Sequence, residues 1–432
     1  MSQPTTPSDR RRFLRLSALG AASLPALAVP LRAANAAAPT PNGTLPASIA
    51  ALNPATGKAV AIHDDEYRAR LAKAQHLMAT HKLDAIFIAA GTSLKYFVDL
   101  DWWLSERTAG MLLPRTGEPI YITPAFEKSR TLETLRFGRD IRTWQENESP
   151  YALIARTLKE LKIAGGTLGI EEKVPFFIAD GIGKAASNAH LVSATPVTAG
   201  CRAVKSKAEL ALLQIANDIT LATYHAVWQA LEPGMTQHDV QALVGSAYAR
   251  QGVRGFASIN VGKYTAQPHG SSEPQRIDEG TVLMLDDGCQ VHGYTSDITR
   301  TFVLGKASDT MKRVFAIVQK AQRAAREAAR TGGQMQDIDA AARKVIVDAG
   351  YGPGYKFFTH RLGHGIGMDM HEWYYAVGGE HQPIIDGMTL SDEPGVYIPG
   401  EFGVRLEDCM VTTTDGGRWF TTPSPSIEQP FG

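Results

Sequence analysis

The sequence predicts two domains, an α/β N-terminal domain followed by an α+β domain that carries the chemistry. Three observations point there. Helical periodicity alternates with short apolar runs from Asp64 to about Ala199, a helix-start signal stands at Ser206, and a set of acids and imidazoles is confined to the C-terminal half. With 432 residues and 44% hydrophobic content, the chain is long enough for two sizeable cores. Its 44 basic and 44 acidic residues cancel, so nothing in the composition points to nucleic acid.

The first residues form a separate pattern. Asp9-Arg10-Arg11-Arg12-Phe13-Leu14-Arg15 precedes an apolar stretch from Leu16 to Val29, and Ala34-Asn35-Ala36 offers a small-residue cleavage site. This reads as a twin-arginine export signal over residues 1–36. Pro25 and Pro30 interrupt the stretch, which falls short of the ~20 residues a membrane-spanning helix needs. A cleaved leader and a periplasmic mature protein without a membrane anchor are therefore expected. Residues 37–62, rich in Ala, Pro, Thr and Gly, read as a linker.

Residues 63–202 form the expected N-terminal domain. Glu66 to His81 reads as a helix, and Leu83-Asp84-Ala85-Ile86-Phe87-Ile88, Pro119-Ile120-Tyr121-Ile122 and Thr167-Leu168-Gly169-Ile170 read as strands. Trp102-Trp103 falls in an expected loop, either as a packing contact between domains or as a lid bordering a pocket. The second domain, 203–432, opens with Ser206-Lys207-Ala208-Glu209, which has capping-box spacing ahead of an amphipathic run from Leu210 to Leu231. A further helix is expected from Asp309 to Arg330.

Five residues of this domain stand out: Asp286, Asp297, His364, Glu393 and Glu407. Asp286 ends the apolar run Thr281-Val282-Leu283-Met284-Leu285, and Asp297 lies in a β-rich stretch read as the neighbouring strand, so a short turn from Gly288 to Gly293 sets the two carboxylates side by side. Asp287, next along the strand, is expected on the opposite face. His364 sits among glycines that permit close backbone approach, and Glu393 and Glu407 flank a hairpin turning at Pro399-Gly400. Four converging carboxylates repel one another by several kcal/mol per pair, order of magnitude, at low effective dielectric. Divalent cations remove that cost, and oxygen-rich ligation with one imidazole favours Mn, Co, Fe or Zn. The cysteines, Cys201, Cys289 and Cys409, lack zinc-finger spacing and read as buried thiols, although Cys289 and Cys409 each lie close to an expected ligand.

Asp-Gly-Cys, Gly-Tyr-x-x-Asp-Ile-Thr-Arg-Thr, His-Gly-Ile-Gly, Glu-Pro-Gly and Val-Arg-Leu-Glu-Asp occur here in the order found in one family. From about Lys205 onward the chain resembles the aminopeptidase P and prolidase group of pita-bread fold metallopeptidases (peptidase M24), and before it a creatinase-like N-terminal domain. The resemblance implies two divalent metal ions, Mn first among the candidates. It makes Asp286 a ligand of one metal, His364 and Glu393 ligands of the other, and Asp297 and Glu407 the bridging carboxylates. It further implies that His269 and His371 steady the substrate carbonyl and the tetrahedral intermediate, that His360 walls the pocket, and that Arg405 organises the ligands. The implied reaction is hydrolysis of Xaa-Pro bonds in dipeptides or short peptides by a metal-bridging hydroxide, with Glu393 passing a proton to the leaving nitrogen. A homodimer is implied as well.

One stretch departs from the pattern: His371-Glu372-Trp373-Tyr374-Tyr375-Ala376 lacks the proline that Xaa-Pro-cleaving relatives commonly carry shortly after the His-Glu pair. Its aromatics, read as a pocket-side loop, suit a prolyl ring or another small molecule. A same-fold hydrolase or lyase acting on a non-peptide metabolite is thus the second reading, and a non-catalytic binding protein the third, the latter disfavoured by the intact ligand set.

Overall fold

A computed structural model of the chain describes residues 44–432. The expected leader, 1–36, and the first part of the linker lie outside the described residues. The N-terminal region is built on a six-stranded sheet: β1 (Ala85–Ala89), β2 (Gly110–Pro114), β3 (Ile120–Pro124), β4 (Asp140–Trp144), β5 (Thr167–Ile170) and β6 (His190–Ser193), in the order β4-β3-β2-β1-β5-β6. The sequence Ala-Ile-Phe-Ile-Ala explains the central place of β1, because every one of its residues is buried. Ile86 and Ile88 face one apolar cluster, and Ala85, Phe87 and Ala89 face the other, as the two-residue strand period requires. Strands β1, β3 and β5 were legible in the sequence. Edge strands β4 and β6 were not, since their partly exposed residues carry little apolar signal.

The expected capping box is present: Glu209 N donates to Ser206 Oγ at 3.1 Å and Ser206 N to Glu209 Oε2 at 2.8 Å, opening the helix Lys207–Trp228. The helix stops three residues before Leu231. Beyond it lie β7 (Ser258–Val261), β8 (Val282–Asp286), β9 (Gln290–Val291), β10 (Tyr294–Thr295) and β11 (Arg300–Val303), of which β7, β8 and β11 form one antiparallel sheet. A second, five-stranded sheet runs β13-β12-β14-β17-β18, from β12 (Gly363–Gly365), β13 (Glu372–Ala376), β14 (Thr389–Asp392), β17 (Asp408–Thr413) and β18 (Gly416–Trp419). The hairpin β15 (Gly395–Ile398) and β16 (Phe402–Arg405) turns at Gly400, φ 81°, as Pro399-Gly400 predicts. The helix Asp309–Ala328 and a helix not foreseen, Met335–Asp348, pack on a core that includes Leu390, Val396 and Val404. Another apolar cluster runs without a break from Ile88 of the N-terminal sheet to Leu283 and Leu285 of β8.

Several expectations are corrected here. Asp297 is not on a strand; it lies in the irregular connection between β10 and β11, while β8 pairs with β11 through Leu285 and Arg300. Asp287 follows the last residue of β8 at φ 105°, and the bend turns it into the metal-side cavity instead of onto the opposite face. Trp373, Tyr374 and Tyr375 belong to strand β13, with Tyr375 opposite His364, and none of the three lines that cavity. Both tryptophans line a separate cavity with Phe126 and Arg130, but Trp102 also packs on the core, whereas Trp103 is 72% exposed. All three cysteines are free and buried. Among the described residues no helix is long and apolar enough to cross a membrane.

Candidate metal centre

The ends of the two C-terminal sheets and the hairpin meet at one cavity of about 740 Å³. It is lined by Asp286, Asp297, His364, Glu393 and Glu407 together with His269, His360, His371 and Arg405, so every site residue expected from the sequence converges there. The ligand atoms fall into overlapping groups, each within 4.8 Å: Asp286-Asp297-Glu407, His364-Glu393-Glu407 and Asp297-His364-His371. His371 is thus close enough to enter a ligand set to which the sequence reading did not assign it. Its ring centroid stands 3.9 Å from that of His364.

Each side chain is oriented by neighbours. His364 Nδ1 lies 3.0 Å from the Gly365 carbonyl, which can only accept, so that nitrogen carries the proton and Nε2 presents its lone pair. Nε2 stands 3.3 Å from Glu393 Oε1 and 3.7 Å from Asp297 Oδ2. Ser391 Oγ accepts from His364 N at 3.0 Å and donates to Glu393 Oε1 at 3.1 Å. Thr299 Oγ1 is 2.5 Å from Asp286 Oδ1 and 2.7 Å from Glu407 Oε2, and its single proton serves one of them at a time. Arg405 ion-pairs with Asp286 while its Nε donates to Thr299 Oγ1 and its Nη1 to the Pro268 carbonyl, each at 3.0 Å. Tyr397 OH accepts from Arg405 Nη1 at 3.0 Å and donates to His360 Nε2 at 2.7 Å. His360 Nδ1 is 3.9 Å from Glu393 Oε2.

The electrostatics follow from crowding acids in a buried place. Burial, then Asp286 and Glu393, pushes Asp297 well above the carboxylate range; burial, then Asp297 and Glu393, does the same to Glu407. Burial pushes Glu393 up to about 7. Asp286 is held below its usual value, because Arg405 and its hydrogen bonds outweigh its burial. Burial lowers His360 and His364 to about 3, which keeps both imidazoles neutral.

Glu407 Oε1 is buried and has no hydrogen-bond partner. An orphaned acceptor costs roughly 1–3 kcal/mol or more, and a cation held among these oxygens and the His364 lone pair removes that cost. The donor set, carboxylates with one or two imidazoles, fits hard to borderline divalent ions. Thr299, Ser391 and Tyr397 were not picked out as site residues in the sequence. Thr299 sits inside the Asp-Ile-Thr-Arg-Thr motif, which was the available signal.

A protein-family model for "Metallopeptidase family M24" matches residues 211–414, and one for "Creatinase/Prolidase N-terminal domain" matches residues 70–204. The probable dipeptidase PepE of Mycobacterium tuberculosis (strain ATCC 25618 / H37Rv) is 32% identical over 359 residues, covering 81% of this chain and 93% of that protein. The chain belongs to metallopeptidase family M24. An Xaa-Pro dipeptidase of Lactobacillus delbrueckii subsp. lactis is 30% identical over 371 residues, covering 83% of this chain and 98% of that protein. The crystal structure of dipeptidase PepE from Mycobacterium ulcerans superimposes with a TM-score of 0.80 at 30% identity, covering 85% of this chain and 99% of that one. The M24 chain described here therefore has the two-part architecture of that family, creatinase-type N-terminal region and pita-bread catalytic region, and it is a metallopeptidase.

Proposed function

We propose that this M24 enzyme is an exopeptidase that hydrolyses Xaa-Pro bonds in dipeptides or short peptides with two divalent cations. The observation that carries the reading is the convergence of the five side chains in overlapping groups within 4.8 Å, with Glu407 Oε1 among them left without a hydrogen-bond partner. The relatives named Xaa-Pro dipeptidase support the substrate class.

Asp297 and Glu407, which belong to the groups that join the two ends of the cluster, would hold the cations together with Asp286, His364 and Glu393. When bound, the cations would lower the pKa of water toward neutrality and polarise the scissile carbonyl. Glu393, with one oxygen toward His364 and the other toward His360, is the group placed to take up a proton and return it to the leaving nitrogen. His269 and His371, on the cavity wall, would donate to the developing oxyanion. Arg405 keeps Asp286 ionised and aimed inward. The Trp373–Tyr375 aromatics are absent from this cavity, so ring stacking by them forms no part of the reading.

Protein loaded separately with Mn, Co and Zn, assayed on Xaa-Pro dipeptides, Xaa-Pro-Xaa tripeptides and proline-free peptides, tests the proposal. Cleavage of proline-free peptides alone, or of none, overturns it. Asp297→Ala and His364→Ala should lose bound metal and activity together, and a fully active metal-free preparation excludes the mechanism. We also propose export through the leader at 1–36; Arg10→Lys with Arg11→Lys should trap the protein in the cytoplasm, and unchanged fractionation refutes that.

A further inference from the structure

Two charged side chains of opposite sign line the metal-side cavity without an ionic partner. Its one pair of opposite charges joins Arg405 to Asp286, while His360 and His364 contact the acids as neutral imidazoles; among the described residues no ion pair includes Asp287 or Arg361. Neutral neighbours hold both in place. Asp287 Oδ2 accepts from Ser258 N at 3.1 Å and from Ser258 Oγ at 2.7 Å. The Arg361 guanidinium lies over the Tyr375 ring, 4.0 Å from its centroid.

Their positions are built rather than incidental. Asp287 adopts φ 105°, a conformation that costs a non-glycine residue free energy and persists where the surroundings fix it. Its carbonyl is pinned by Tyr224 OH and Ile298 N, each at 3.1 Å. Each residue also neighbours a ligand on a different sheet: Asp287 directly follows Asp286 at the end of β8, and Arg361 stands shortly before His364 of β12. A half-buried charge without a counter-ion is unfavourable in the free enzyme and becomes favourable when a substrate supplies the opposite charge.

A second cavity of about 550 Å³ adjoins the first and shares Ser258 and His269 with it. The metal-side cavity alone already lies within the ~300–1,000 Å³ span of small-molecule sites. The shared Ser258 is the residue that holds Asp287, so a cationic nitrogen bound there stands where the second cavity begins.

We propose that Asp287 and Arg361 are specificity residues that read the two ends of a zwitterionic substrate, Asp287 an ammonium group and Arg361 a carboxylate. The inference rests on the peptidase reading above and narrows it to short peptides with free termini. The ammonium could be the α-amino group or a lysyl side chain, and the assay separates the two.

Four probes suffice: alanyl-proline, acetyl-alanyl-proline, alanyl-prolinamide and acetyl-lysyl-proline. Wild-type enzyme should lose about 10- to 100-fold in kcat/KM on acetylation or amidation of alanyl-proline, the range expected when a charge loses its hydrogen-bonded partner. Recovery on acetyl-lysyl-proline assigns the side chain as the ammonium source; no recovery assigns the α-amino group. In Asp287→Asn, acetylation should cost less than about threefold, and in Arg361→Gln amidation likewise, with bound metal unchanged by elemental analysis. Ser258→Ala keeps the Asp287 carboxylate and the backbone N–H that reaches it but removes the hydroxyl donor, and should raise KM for alanyl-proline with little change in kcat. Wild type that cleaves free and blocked peptides equally, or variants penalised by blocking as much as wild type, overturn this inference and leave the peptidase reading standing. Loss of metal in Asp287→Asn also overturns it, by making that residue part of the metal centre. Metal-loaded wild type that cleaves no peptide overturns both.

Discussion

The Arg202 guanidinium and the Glu372 carboxylate form a buried ion pair that ties the helix Thr195–Arg202 of the N-terminal region to the residue beside His371. Lys205 Nζ adds a second contact to Glu372 at 2.8 Å, and Arg202 Nη2 reaches Asp369 at 2.7 Å. Glu372 Oε1 also accepts from the backbone N–H of Met368 at 2.9 Å. The turn that carries His371 is therefore anchored by charges from outside the catalytic sheets.

Breaking a buried pair on one side leaves an uncompensated charge, which costs about 3–5 kcal/mol. Arg202→Met should lose stability on that scale in urea unfolding, and a loss under 1 kcal/mol would show that Lys205 suffices. Burial pushes the Glu372 carboxyl up, but Arg202 and Lys205 prevail and hold it at about 2, below its ordinary 4.5. A depressed carboxyl stabilises the fold above the ordinary value, and that contribution disappears as pH falls toward the folded value. Wild type and Glu372→Gln should therefore converge in melting temperature between about pH 4.5 and 2; curves that stay parallel would refute the pair's role.

The crowded acids give a prediction of opposite sign. Without cations, Glu407→Gln removes a carboxyl whose charged form is disfavoured first by burial and then by its acidic neighbours, and should stabilise the metal-free protein by roughly 1–3 kcal/mol, while weakening metal binding. Thermal melts with and without chelator measure both, and a metal-free variant less stable than wild type contradicts the electrostatic account.

Gly363 tests how closely the backbones must approach at β12. A Cβ there would collide with the Ser391 carbonyl oxygen of the neighbouring strand, so the strand carrying His364 would have to move. Gly363→Ala should cost about 1–3 kcal/mol, the usual range for overpacking, and lower metal affinity as well. An unchanged melt and metal titration would show that the strands yield freely.

Trp102 and Trp103 should separate cleanly. Trp102→Ala removes packing from the core and should destabilise the protein, whereas Trp103→Ala, at a 72% exposed position, should stay within about 0.5 kcal/mol of wild type. Equal losses in denaturant titrations would mean that Trp103 packs as Trp102 does.

Much of the site was legible because its residues keep local company that marks them. Asp286 ends an apolar strand, Glu393 and Glu407 bracket a Pro-Gly hairpin, and His364 lies among glycines, so each carried its own signal. Asp287 was misassigned because strand alternation was extended one residue past the end of β8, where the backbone turns to φ 105°. The aromatic run after His371 was read as a loop because an unbroken series of large residues has no two-residue alternation, yet pairing with β12 makes it a strand.

The sequence by itself determined the two-part architecture, the five acidic and imidazole residues that meet at one cavity, and the helix start at Ser206, since each rests on short-range pattern and side-chain chemistry. The tertiary structure alone decided that Arg202 braces the His371 turn, that Glu407 keeps an unpartnered oxygen, and that Asp287 and Arg361 share one cavity. Those relations join residues tens to hundreds of positions apart. They depend on how sheets and helices pack, and no local spacing encodes that.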